Sequence, residues 1–191
     1  NYYFEGKFIG SNVKGSEESI YRTQTSITHL FQRVDASHLE VDPTKTSLKG
    51  TGGVFMIGKQ GGGHWTYDLG FDWHSPELEL NDLGFLKQAD HKAQFAAVSY
   101  RSLNPKGKIR SLDMTLRQFS TYDFEGNHNR TQYAFRSGIK FMNNYGIELG
   151  GAHKPRIYIN SFLRGGPRWK FNQENYMYLF MMSDQSKKLR G

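Results

Sequence analysis

From His64 to Ser75 the chain reads HWTYDLGFDWHS, in which Trp65, Tyr67, Leu69, Phe71 and Trp73 alternate with Thr66, Asp68, Gly70, Asp72 and His74. Strict period two predicts a β-strand with one apolar and one polar face. The pattern recurs along the chain. In Tyr2–Gly10, Tyr2, Phe4 and Phe8 oppose Glu5 and Lys7. In Ile109–Tyr122, Leu112, Met114 and Leu116 oppose Ser111, Asp113, Thr115 and Arg117. In Arg130–Phe141, Tyr133, Phe135, Ile139 and Phe141 oppose Gln132, Arg136 and Lys140. Further strands are predicted at Gly52–Lys59, which is apolar on both faces, and at Lys92–Ser102, Tyr145–Asn160 and Asn172–Ser183. Pro155 cannot donate to a ladder and predicts a bulge or break in its strand. That makes about eight strands. Helical periodicity is weak throughout, with one short helix predicted at Ser26–Val34.

The connections alternate in length. Long segments (about Ser11 to Thr51, Pro76 to His91 and about Ser161 to Phe171) are separated by short ones at Gly61–Gly63, Leu103–Lys108 and Asn143–Tyr145, with a medium one at Asp123–Asn129. Up-and-down membrane barrels sort their loops this way, with tight turns on one rim and long external loops on the other. The expected fold is therefore all-β: an antiparallel up-and-down transmembrane β-barrel, or a segment of one. Residues 1–191 would form part of a single barrel domain, and residues 16–49 would be a long loop serving as lid or plug at its mouth.

Composition sharpens this. Aromatics make up 15% of the chain and Gly contributes 21 residues, yet only 37% is hydrophobic. That is too little aliphatic material for an ordinary soluble core of this size. The longest apolar run, Tyr176–Met182, is far short of a spanning helix. A net charge of +7 raises nucleic acid as a partner, but no run of five like charges occurs and the basic residues are scattered, so none is expected. The chain has no Cys, which excludes disulfides and thiolate metal sites. It does not begin with Met and carries no targeting pattern, as expected of a mature chain or a fragment.

Candidate chemistry is sparse. The seven His residues form no HxxxH or HExxH pattern. No nucleophile elbow, phosphate loop or opposed carboxylate pair appears. Neither catalytic residues, metal nor cofactor is expected. The acidic loop SPELELND brings Glu77, Glu79 and Asp82 together without EF-hand spacing; Lys pairing is favoured over a cation. Those three, with Arg164 and Trp169, are the candidates for loop contact with a ligand or partner. On the strands, Trp65, Tyr67, Leu69, Phe71, Trp73, Leu112, Met114, Leu116, Tyr133, Phe135, Ile139 and Phe141 are expected to face lipid. Trp65 and Trp73 would be interface anchors. Asp68, Asp72, Asp113, Arg117, Arg136 and Lys140 are expected to face a polar lumen.

Three stretches are more specific: Phe31–Gly53, Trp73–Arg101, and RGGPRW (Arg164–Trp169) followed by Met181–Leu189. They resemble an uncharacterised family of Gram-negative outer-membrane proteins. Members of that family carry an N-terminal domain similar to carbohydrate-binding module family 9, followed by a large β-barrel. The resemblance implies a partial barrel chain in the outer membrane, non-enzymatic, associated with carbohydrate binding or uptake. Its partners would be the lipid bilayer and lipopolysaccharide, other outer-membrane or envelope proteins, and oligosaccharide. Two other readings stay open: a soluble carbohydrate-binding β-sandwich or barrel, and a barrel scaffold subunit of an envelope secretion or uptake complex.

Overall fold

The computed structural model describes residues 1–81 and 84–184. The elements are β1 (Tyr2–Lys14), α1 (Glu17–Gln24), β2 (Ser47–Lys59), β3 (Trp65–His74), β4 (His91–Ser102), β5 (Ile109–Tyr122), β6 (His128–Phe141), β7 (Gly146–Ile159), β8 (Trp169–Phe171) and β9 (Glu174–Met182). All strands pair antiparallel with their neighbours in chain order, and β8 and β9 both pair β7. β8 and β9 are thus two halves of one interrupted strand, and the fold is an all-β, up-and-down meander. Among the described residues β1 and β9 do not pair, so the sheet is open.

Pro155 accounts for the interruption. Thr131 pairs with Arg156 and Tyr133 with His153, so Lys154 and Pro155 together oppose the single residue Gln132. That two-against-one count is a β-bulge. On the other side of β7, pairing with β9 stops at Lys154 and resumes with β8 at Ile157. The tight turn into β3 uses positive φ at Gly61, Gly62 and Gly63.

Register carries the two faces across the sheet. Phe4 lies opposite Ile57, Ile57 opposite Leu69, Tyr67 opposite Val98 and Val98 opposite Leu116. Leu116 lies opposite Phe135, Phe135 opposite Gly151 and Gly151 opposite Met177. Directly opposed residues share a face, so Trp65, Tyr67, Leu69, Phe71, Trp73, Leu112, Met114, Leu116, Tyr133, Phe135, Ile139 and Phe141 all lie on one. Asp68, Asp72, Asp113, Arg117, Arg136 and Lys140 lie on the other. The apolar face is exposed: Phe4 is 71% accessible, Leu116 58% and Met181 72%.

The buried apolar residues sit elsewhere. Ile20, Leu30, Phe31, Ala36, Leu39, Leu78, Leu86 and Ala89 belong to the long connections at one end of the sheet, and Leu48, Ala93 and Ala152 lie on the polar face of β2, β4 and β7. The segment after β3 folds inward onto the polar face. The Glu79 amide donates to Ser11 Oγ at 3.0 Å, and the fully buried Leu78 lies against β2 at Gly50 and Gly52. A Cβ on Gly50 would stand 2.1 Å from the Leu78 nitrogen, so only glycine admits this loop.

The helix is not where periodicity predicts. It runs over Glu17–Gln24, where Ser16 caps it by accepting from the Ser19 amide, Glu17 and Glu18 occupy the first turn and Arg22 the last. Thr25 ends it, and Leu30 takes a φ of 54°, which an α-helix cannot continue through. Of the supposed apolar stripe, Leu30 and Phe31 are buried while Ile27 and Val34 are exposed. The connection between β1 and β2 is correspondingly 15–46, with β2 beginning at Ser47.

Gly50→Ala should therefore lift the 75–81 segment off the sheet while leaving the meander intact. Hydrogen exchange should show faster exchange at the Leu78 and Glu79 amides and unchanged protection within β4–β6. The overpacking cost should be about 1–3 kcal/mol. Unchanged protection at Leu78 would contradict the docking.

Candidate functional site: the polar face and its loop cap

The polar face is small and charged because glycine and alanine alternate there with ionic side chains. Phe95 of β4 lies over Gly70 of β3. Around them Tyr3 donates to Asp68 Oδ1 at 2.6 Å, and Arg136 reaches Glu148 at 2.7 Å and Asp113 at 3.3 Å. Tyr178 donates to Glu148 Oε1 at 3.1 Å, and Lys154 pairs with Glu174 at 2.8 Å. The Arg136 and Lys154 contacts are cross-strand pairs of opposite charge, on neighbouring strands among β5, β6, β7 and β9.

A cavity of about 590 Å³ opens on this face, lined by Tyr3, Asp68, Arg117, Arg136 and Tyr178 among others. Tyr3 is on β1 and Tyr178 on β9, at opposite edges of the sheet. Laid flat at about 4.8 Å per strand, those edges would stand roughly 34 Å apart. One cavity lined from both edges requires the sheet to curl around its polar face. Lys140 lies nearer the tight-turn rim, beside a second depression that also includes Asp113 and Glu148. Asp72 lies 3.8 Å from His91 near the other rim.

At that rim four connections meet over a buried ionic cluster. Arg33 Nη2 reaches Asp90 Oδ2 at 3.0 Å and Asp123 Oδ2 at 3.8 Å, and all three side chains are nearly inaccessible. Asp90 Oδ1 also accepts from His38 Nε2 at 2.8 Å and the Phe124 amide at 2.9 Å. Asp123 accepts from the Asn127 amide and side chain. The Arg168 amide donates to Asp35, while its guanidinium bonds Asn127 and Asn129 and covers the Tyr158 ring. Segments 15–46, 84–90, 123–127 and 160–168 are thereby tied into one cap.

His29 is a second pin. Its Nε2 donates to the Leu78 carbonyl at 3.0 Å, and Nδ1 accepts from Ser26 Oγ at 3.2 Å. Burial holds this imidazole below its ordinary pKa, with the Leu78 carbonyl, Glu79 and Glu77 pulling the other way.

The predicted loop candidates do not form one site. Glu77 pairs with Lys45 and accepts from the Lys49 amide, and Glu79 accepts from the Asn81 amide. Asp82 lies outside the described residues. Among the described residues no cluster of three metal-ligating side chains occurs. Arg164 turns the 160–168 loop with a φ of 50°. Trp169 is not a loop residue: it opens β8 opposite Ile159 and stacks on Phe162 at 6.0 Å. Reading single residues missed the cap's Arg33–Asp90–Asp123 cluster. Part of it falls within the three specific stretches, which hold Arg33, Asp35 and His38, then Asp90, then Arg168, while Asp123 lies outside them.

The geometry defines a curled antiparallel meander with a polar inner face and a folded loop cap. Over residues 1–191 the chain matches the model of the domain of unknown function DUF5916, and it belongs to that family. No curated protein and no solved structure matches it.

Arg33→Met should strand two buried carboxylates and destabilise the cap by about 3–5 kcal/mol. Limited proteolysis within 15–46 should accelerate, and adding Asp90→Asn should recover part of the loss; a variant as resistant as the parent would show the cluster to be dispensable. A lowered His29 pKa means that the unfolded cap binds the proton more readily. Its contribution is complete above the ordinary histidine value of about 6.5 and falls as pH drops toward the folded value. Asp42, held low by Thr44, and Glu125, held low by Ser37, lose theirs only in more acidic solution, below about 4. Exchange of the 26–39 amides should thus rise between about pH 7.5 and 5.5, beyond the intrinsic rate change, and His29→Gln should abolish that dependence.

Proposed function

We propose that the chain is part of the wall of an outer-membrane β-barrel. Its aromatic face would lie on lipid, its polar face would line the lumen, and its loop cap would close the mouth. One observation carries this reading: exposed apolar side chains run in register across the sheet on one face, while the buried apolar side chains lie in the connections or on the opposite face. A contiguous exposed apolar surface of this extent marks contact with a membrane or a partner, and the polar opposite face matches a lumen.

The dimensions agree. Strands β1–β7 run to 10–14 residues, against about 9–11 needed to cross a bilayer. From Tyr133 to Phe141 the apolar face extends roughly 27 Å along the strand, about 20 Å at a tilt of 35–45°. On β4–β6 it turns polar at Gln94, Ser120 and Thr131, toward the cap. Aromatics gather at both limits: Trp65 packs edge-on to Tyr100 at the tight-turn rim, and Trp73 packs against Phe8 and Phe55 nearer the cap. That is the placement of interfacial girdles. Tight turns would face the periplasm, and the capped rim would face outward to lipopolysaccharide. The role is wall and loop platform rather than catalyst, with oligosaccharide as the ligand that the family resemblance implies.

In the full-length protein, Leu116→Lys should cost roughly 2–4 kcal/mol and Trp65→Lys, near an interface, about 0–1 kcal/mol. The protein should stay with the membrane pellet after carbonate extraction. Solubility without detergent, or equal costs at the two depths, would defeat the membrane reading.

A further inference from the structure

Every carboxylate carried by a strand (Glu5, Asp68, Asp72, Asp113, Glu148 and Glu174) stands on the polar face. The aromatic face has none, yet it carries cations where its strands run into the cap: Lys14, Lys49, Lys92, Arg156 and Lys170. Among the described residues no carboxylate lies within ion-pair distance of any of the five, whereas Lys7, Arg136 and Lys154 on the polar face are each paired. Past the Pro155 bulge, Ile157 and Ile159 turn under the cap, into a cavity of about 540 Å³ that Asn160 borders, while Arg156 and Tyr158 turn outward. Exposed Arg156 and Lys170 bracket the Tyr158 ring: the guanidinium packs 5.9 Å from its centre, and Lys170 lies opposite Tyr158 on β8. Arg168 covers the same ring at 5.0 Å but is engaged within the cap by Asp35, Asn127 and Asn129. Toward the middle of the sheet the aromatic face is hollowed into a groove of about 730 Å³, walled by Leu69, Val98, Leu116, Phe135 and Met177. Ala96, opposite Leu69 and Gln118, is too short to fill it. His153 closes the cap-side end of the groove, one step along β7 from Arg156 on the same face.

We propose that this sector of the aromatic face binds a phosphorylated, acylated glycolipid of the leaflet at the cap rim. Its phosphate oxygens meet Arg156 and Lys170, and an acyl chain lies in the groove beneath. Arginine and lysine are the side chains suited to phosphate, arginine through two parallel hydrogen bonds. A cationic band bordering an apolar surface is also the general form of an anionic-lipid site. A zwitterionic headgroup brings a cation of its own, for which this face has no carboxylate. An uncharged glycolipid leaves Arg156 and Lys170 unmatched, and free phosphate leaves the groove unfilled. The site rests on the membrane reading and adds to it a fixed position for one kind of lipid.

The test is native mass spectrometry of the detergent-purified full-length protein titrated with diphosphoryl lipid A, lipid A stripped of its phosphates, and phosphatidylethanolamine, beside carbonate extraction. Diphosphoryl lipid A should bind, and the other two should bind at least about tenfold more weakly. Arg156→Gln and Lys170→Gln should each weaken lipid A by about five- to tenfold, and Arg156→Lys should recover part of the loss. Ala96→Phe, which fills the groove and changes no charge, should weaken it as well, while Lys59→Gln at the tight-turn rim should leave it unchanged. In a protein that stays with the membrane pellet, equal binding of the dephosphorylated lipid, displacement of lipid A by equimolar inorganic phosphate, or full affinity in the Arg156→Gln, Lys170→Gln double variant would overturn this proposal alone. Solubility without detergent would overturn it together with the membrane reading.

Discussion

Cross-strand register is the constraint on which the rest of this structure depends. Side chains alternate with a period of two, so a slip of one residue between any two strands would exchange the aromatic stripe of one with the ionic stripe of its neighbour. Nothing in a single sheet repairs such an error by repacking a core, because no second layer covers the aromatic face and the cap covers only one end of the polar one. The sequence enforces register by making the two faces chemically unlike. Arg136 finds Asp113 and Glu148 only in the observed register, and Tyr3 finds Asp68 only there. The same register leaves the aromatic residues contiguous. Charge pairing on one face and apolar continuity on the other are two consequences of one alignment.

A meander of this kind buries little by itself, so the loops supply what the sheet lacks. Ile20, Phe31, Leu39, Leu78 and Leu86 form small apolar cores in the cap, and Arg33 with Asp90 and Asp123 forms its ionic centre. Replacing such a buried ionic group by apolar packing is often neutral or stabilising, so its contribution lies in specificity more than in net stability. Four separate connections must meet at defined positions, and one guanidinium facing two carboxylates from different loops fixes them more narrowly than interchangeable leucines would. The inward path of 75–81 over Gly50 turns the cap toward the polar face rather than the aromatic one. The central cavity is thereby covered on the rim where the loops are long and left with only tight turns on the other.

How much of this was legible in the sequence follows from the range of each interaction. The strands were legible because alternation is local, and so were the residues sharing each face, because register follows from strands and short turns. The bulge at Pro155 was legible from a missing amide. The helix was not. Ser26–Val34 carries apolar residues at helical spacing, but Leu30 takes a positive φ and Phe31 packs against Ala36 and Leu39 further along the same connection, and the real helix has a single buried apolar residue, Ile20. Arg33, Asp90, Asp123 and Arg168 are spread over more than 130 residues, and no local rule joins them. Trp169 was misplaced for the same reason, since β8 exists only through its pairing with Ile157–Ile159.

The bulge does more than interrupt a strand. Before it, Ile147, Leu149, Gly151 and His153 lie on the aromatic face, with odd numbering. Past it, Arg156 pairs with Thr131 and Ile157 with Arg130, so the parity inverts and odd residues turn to the polar face. Without the extra residue, Arg156 and Tyr158 would point under the cap, with Ile157 and Ile159 on the outer side. With it, Ile157 and Ile159 become apolar wall for the cavity that holds Asn160, and Arg156 and Tyr158 move to the outer side, where the Tyr158 ring meets Arg168. A bulge re-aims side chains at the cost of one broken ladder step. Here that step is already lost to proline, which has no amide to pair. Restoring a regular strand by deleting Pro155 would therefore exchange the cavity's apolar wall for an arginine and a tyrosine, and would remove the surface on which Arg168 anchors the 160–168 loop to the rest of the cap.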